Sequence, residues 1–126
     1  MNDFRELPDI SLIGLGGTFK SWSGCFHGPQ TIREIKDIDA DAAIVSADAI
    51  FEEKTFYDTE EDLAFRNAMQ EKAKRNILVA SHGMFDKKAF YGGNDLRDYD
   101  AVVVNSAVPP LLVDRMLSRK IDVRLA

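Results

Sequence analysis

Apolar residues along this chain fall into short continuous runs, separated by segments with helical spacing. Five runs read as strands: Ile10–Leu15, Ala42–Val45, Ile77–Ala80, Ala101–Val104 and Ile121–Leu125. Continuous rather than alternating runs suit strands of a largely parallel sheet buried on both faces. Three intervening segments read as helices. Pro29–Ile38 begins with proline, which suits a first helical turn, and places Ile32 and Ile35 on one side. Thr59-Glu60-Glu61-Asp62 has the form of a capping box with acidic residues where the helix dipole favours them. The helix it opens carries Phe65, Met69 and Ala73 on one stripe and closes on Lys72, Lys74 and Arg75. Pro110–Ser118 aligns Leu112, Val113 and Met116. Strand and helix alternate, so the pattern predicts an α/β fold with a mostly parallel sheet flanked by helices.

In an open α/β sheet, ligands lie outside the carboxyl ends of the strands. Three of the runs leave through polar residues there. Asp48 follows the second run and is flanked by small residues, so it projects at the mouth of the sheet as a sugar-hydroxyl acceptor, a general base or a turn cap. Ser81 and His82 follow the third, and Asn105 and Ser106 the fourth. His82 reads as a ligand contact or as a satisfied structural histidine. Three polar strand ends point to one shared crevice, a stronger signal than any alone. Ahead of them, Gly16-Gly17 follows the first run and permits close backbone approach to a ligand or to a packed element. Trp22 lies in the polar, glycine-bounded stretch Lys20–Gly24 and reads as a partly buried core residue or a pocket wall.

Composition narrows the classes. The 126 residues suit one domain, and 45% hydrophobic against 29% charged is ordinary for a globular chain. Sixteen basic residues against 21 acidic give a net charge of −5, which argues against this chain gripping DNA by itself. The single cysteine, Cys25, allows no internal disulfide and suits a reducing cytoplasm. No apolar run approaches the roughly 20 residues needed to span a bilayer, and the opening residues lack the apolar stretch of a signal peptide. Gly14-Leu15-Gly16 begins like a dinucleotide fingerprint, but the third glycine position is Phe19. His27 and His82 do not combine with Cys25 at metal-site spacing, and the serines lack a nucleophile-elbow context. No catalytic residue, metal or cofactor is expected.

Five segments in order resemble the effector-sensing domain of the DeoR family of bacterial transcriptional regulators. They are Gly16-Gly17 with Phe26-His27-Gly28-Pro29, Asp41–Ile50, Glu61–Met69, Leu78–Phe85 and Tyr99–Ser106. The resemblance runs from about Ile10 to the C-terminus. It implies a fold similar to sugar-phosphate isomerases, glucosamine-phosphate deaminases and CoA-transferases, and a non-catalytic sensor that binds a phosphorylated sugar and so relieves repression. On that resemblance Gly16, Gly17, Asp48, Ser81, His82 and Asn105 line the crevice, with the glycine turn offering backbone N–H groups. The departures are as informative. Ser46 and Ala49 replace the family's glycines around Ala-Asp, Ser81 and Met84 replace an aspartate and a lysine, and Asn105 replaces the closing aspartate. Lys54 and Lys87 are the candidate substitutes for the lost cation.

A complete family member is expected to carry a helix-turn-helix domain and a first strand with a phosphate loop ahead of the part resembled here. The chain therefore reads as a single, partial sensing domain over residues 1–126, with no direct DNA contact, a homo-oligomeric habit and no membrane partner. Two other readings stay open: an aldose–ketose isomerase with Asp48 as base, and a fragment that serves assembly alone.

Overall fold

The structure is a computed structural model that describes residues 9–126. A hairpin of β1 (Thr18–Lys20) and β2 (Cys25–His27) leads into helix α1 (Pro29–Lys36). Next come β3 (Ala40–Val45), β4 (Ala49–Phe51), β5 (Lys54–Tyr57) and helix α2 (Glu60–Lys72). The chain closes with β6 (Ala73–Ala80), β7 (Tyr91–Asp95), β8 (Ala101–Val104), helix α3 (Pro110–Ser118) and β9 (Val123–Leu125). The central sheet is parallel, in the order β3-β6-β8-β9, and a second antiparallel sheet runs β4-β5-β7. The α/β expectation is met. Among the described residues no helix is long and apolar enough to cross a membrane.

Each step in the parallel sheet moves one place in the same direction. With crossovers of one hand, every connection then falls on the same face. That face is the core: Ala43 and Val45 of β3, Leu78 and Ala80 of β6, and Val102 and Val104 of β8 are all buried. Met69 of α2 and Leu112, Val113 and Met116 of α3 pack on it, as do Leu96 and Tyr99. The opposite face carries Ile44, 65% exposed, and Val79, 42% exposed. Burial on both faces, expected from the continuous runs, is therefore not what the described residues show. One-directional winding leaves the second face without a layer of its own.

Two further expectations are corrected, and one element was not foreseen. Residues 10–15 form no strand: they pair with nothing, and Ile10, Leu12 and Ile13 are exposed. An apolar run supplies side chains for burial, but a strand also needs a neighbouring ladder, and none is offered there. The helix opened by Thr59 stops at Lys72, so Ala73, Lys74 and Arg75 belong to β6. Parallel pairing with β3, Ala40 to Ala73 through Val45 to Leu78, outweighs one more turn of helix. The antiparallel sheet went unpredicted because its hairpin, Phe51-Glu52-Glu53-Lys54, carries two glutamates where glycine or asparagine usually signals the turn.

Both glutamates adopt positive φ, 50° and 59°. Glu53 has compensation: it is buried, and its carboxylate pairs with Arg119 at 3.2 Å. Glu52 makes no ion pair among the described residues. Replacing Glu52 with glycine relieves the left-handed backbone and is expected to stabilise by about 0.5–1 kcal/mol, read as a melting temperature raised by about 2–5 °C. Gly17 is the opposite case, at φ 142°. A Cβ there would stand 2.2 Å from Thr31 Oγ1 and 2.9 Å from the His27 carbonyl. Gly17→Ala is expected to cost about 1–3 kcal/mol, visible as a lower urea midpoint with an unchanged slope.

Candidate functional site

The carboxyl ends of β3, β6 and β8 lie side by side, because the three strands are neighbours in parallel register. Ser81 and Asn105 are the first residues past β6 and β8. They flank a 3-10 turn over His82–Met84, closed by the Met84 N–H donating to the Ser81 carbonyl at 3.1 Å. Asn105 holds this turn. Its Oδ1 accepts the His82 backbone N–H at 3.0 Å, and its Nδ2 lies 2.9 Å from His82 Nδ1. A backbone N–H only donates, so Oδ1 is assigned and Nδ2 is the group facing the imidazole. Nδ1 must then accept, which leaves the proton on Nε2. His82 is exposed, so it presents an Nε2–H donor outward.

Asp48 leaves β3 differently. Its backbone N–H donates to the Phe56 carbonyl at 3.1 Å, and its Oδ2 accepts the Asp58 N–H at 2.8 Å. The start of the antiparallel sheet thus fixes the carboxylate, while Oδ1 takes no hydrogen bond from the described residues. Asp48 also lines a cleft of ≈ 390 Å³ with Trp22, His27, Asp58, Asp62 and Arg66. Trp22, 60% exposed, stacks on the His27 ring with centroids 5.3 Å apart. The pocket-wall reading of Trp22 is the one its position supports.

The structure brings Ser81, His82 and Asn105 together and sets Asp48 at the same sheet edge. It places the paired glycines against α1 instead. The Gly16 N–H donates to Glu34 Oε2 at 2.7 Å, and its carbonyl accepts from Thr31 Oγ1. Gly17 gives the close approach that Thr31 and His27 require. Their chemistry is packing of hairpin on helix. Met84, in place of the family lysine, packs on the hydrophobic core. Of the two candidate substitutes, Lys54 sits 5.7 Å from the Phe56 ring centroid, and the Lys87 backbone N–H donates to the Ile50 carbonyl. Neither lines the cleft that holds Asp48. The cation that does is Arg66, on α2. No pattern marked it, since one arginine amid a helical stripe is ordinary surface. Burial of Tyr57 pushes its phenol well above the usual range, so it remains a neutral group behind the site. Among the described residues no group of three His, Cys, Asp or Glu side chains is placed to hold a metal.

A parallel sheet with polar strand ends gathered at one edge, beside a polar cleft, defines a ligand-receiving α/β domain. The DeoR C terminal sensor domain family matches residues 1–106, and the chain belongs to that family. It is also similar to a protein of Escherichia coli O157:H7 named as an aga operon transcriptional repressor, 27% identical over 109 residues. The match covers 86% of this chain and 40% of that protein, so the chain spans well under half the relative's length. The expected family is borne out, and with it the reading as a DeoR-type sensor domain.

The amide–imidazole pair makes a sharp prediction. Asn105→Asp replaces the Nδ2 donor with an acceptor, so His82 must turn its protonated Nδ1 toward residue 105. Nitrogen-detected NMR of the histidine ring is expected to show the Nε2–H tautomer in the wild-type protein and Nδ1 protonated in the variant. An unchanged tautomer in Asn105→Asp would show that Asn105 does not set the imidazole.

Proposed function

We propose that this sensor domain binds a phosphorylated sugar at the carboxyl edge of β3, β6 and β8 and performs no chemistry on it. Asp48 is the acceptor for sugar hydroxyls, and Ser81 and the His82 Nε2–H are the donors. Asn105 orients His82, while Gly16 and Gly17 act at one remove by seating the hairpin on α1. The observation that carries the reading is the fixed carboxylate of Asp48. It is exposed, and with Oδ2 held by the Asp58 N–H its Oδ1 stands ready for a ligand. A preoriented acceptor loses little entropy when a hydroxyl docks.

The same arrangement weighs against isomerisation, because the Asp58 N–H on Oδ2 fixes Asp48 as an acceptor rather than as a mobile proton-transfer base. In the family such binding shifts the population of a DNA-competent assembly. For this chain the oligomer, and the regulator it serves, belong to the same proposal.

A thermal-shift screen against hexose and pentose phosphates and their parent sugars tests this. At about 100 times Kd, a ligand specific for the native state adds roughly 2.7 kcal/mol. The expected result is a shift with at least one sugar phosphate, lost in Asp48→Ala. A cooperatively folded protein that responds to no sugar phosphate, or a shift that survives Asp48→Ala, would remove the reading.

A further inference from the structure

Two residues that line the cleft beside Asp48 each bury a polar atom without a partner. His27 is only 5% exposed. Its Nε2 lies 2.8 Å from Ser23 Oγ, but its Nδ1 takes no hydrogen bond, the nearest carboxylate oxygen being Asp62 Oδ1 at 3.7 Å. That separation is too long for a hydrogen bond. Arg66 Nε is likewise buried and unpartnered, and Arg66 makes no ion pair among the described residues. Its guanidinium lies over the Phe65 ring, 5.4 Å from the centroid. Both residues line the same ≈ 390 Å³ cleft.

An unmatched guanidinium is unusual where carboxylates are near. Asp48, Asp58 and Asp62 all line the cleft, yet none is paired with Arg66. Asp48 accepts the Asp58 N–H instead, and Asp62 is the carboxylate nearest His27. Leaving a buried N–H unmade costs about 1–3 kcal/mol, more for a charged group. Guanidinium forks match phosphate oxygens in a bidentate way that lysine does not. Three carboxylates alone would repel a phosphate ester and accept hydroxyls. Arg66 is the group that lets an anion enter.

We propose that Arg66, with the free Nδ1 edge of His27 beside it, is the seat of the anionic head group in the cleft between the β1–β2 hairpin and α2. Asp48 and its neighbouring carboxylates take the hydroxyl-bearing remainder. The inference deepens the sugar-phosphate reading and rests on it for the ligand class, but the anion seat is testable by itself.

The chain has one tryptophan, and Trp22 lines this cleft against His27, so its emission reports on the site without ambiguity. Inorganic phosphate is titrated into the wild-type protein, with potassium chloride at matched ionic strength as control, following Trp22 fluorescence and melting temperature. The expected result is a saturable change with phosphate that chloride does not produce. It should weaken about tenfold or more in Arg66→Gln, a loss of about 1.4 kcal/mol, and be partly kept in Arg66→Lys. Should Arg66→Gln fail to fold, Arg66→Lys against wild type gives the same comparison through the loss of bidentate geometry. A phosphate response equal to that of chloride, or one unchanged in both variants, overturns the proposal. A phosphate response that depends on Arg66, while no sugar phosphate binds better than its parent sugar, upholds the anion seat and removes the sugar-phosphate reading.

Discussion

Everything in this domain hangs on one apolar face of one parallel sheet. Leu78, Val102 and Val104 are buried to within 1% of complete, and each such side chain contributes about 1.5–3 kcal/mol by leaving water. To keep them dry, α2, α3 and the segment carrying Leu96 and Tyr99 must all lie on the same side. Winding that always moves one strand onward, with its connections on one face, achieves this. Its by-product is geometric: strands wound this way end together, so the residues just past β3, β6 and β8 share one edge.

A second set of interactions braces that edge. The Thr55 hydroxyl accepts the Asn94 N–H at 2.9 Å, and the Asn94 side chain donates to Gln70 Oε1. Gln70 in turn donates to the Tyr99 hydroxyl at 2.8 Å. The chain of bonds ties β5 and β7 to α2 and to Tyr99, two residues before β8. It braces the helix that carries Asp62 and Arg66 and the hairpin that clamps Asp48. Networks of satisfied, partly buried polar groups specify a geometry more than they add stability. On the binding proposed here that is the useful property, because recognition would depend on where the Asp48 carboxylate and the Arg66 guanidinium stand before a ligand arrives.

The β1–β2 hairpin is the less anchored wall. It meets α1 through Gly17 against Thr31 and the Gly16 N–H on Glu34, and α2 through the His27–Asp62 approach. Its aromatic residues Phe19, Trp22 and Phe26 are all exposed. Few buried contacts mean low local stability, the end of the range from which moving elements are drawn. The exposed face of the parallel sheet, with Ile44 and Val79, is the other region where apolar surface meets water. Parallel sheets are ordinarily covered on both sides.

Much of the fold was legible along the chain. Apolar runs such as Ala101–Val104 and the capping sequence at Thr59, whose hydroxyl accepts the Asp62 N–H at 3.1 Å, state their structure locally. So do the polar strand ends Asp48, Ser81 and Asn105, because a polar residue directly after a buried strand has to emerge at the sheet edge. What the chain could not declare depends on pairing across long separations. Whether residues 10–15 become a strand depends on a neighbour, not on their own hydrophobicity. Whether Ala73 ends a helix or begins a strand is decided by Ala40, 33 positions earlier. The two glutamates at Glu52 and Glu53 concealed a turn held by Arg119, far away in sequence. Arg66 and His27 acquire meaning only when the hairpin folds over α2, because a missing partner is a property of three-dimensional surroundings. Local chemistry therefore determined the elements and the edge they point to, and tertiary packing alone decided which buried polar groups were left without a partner.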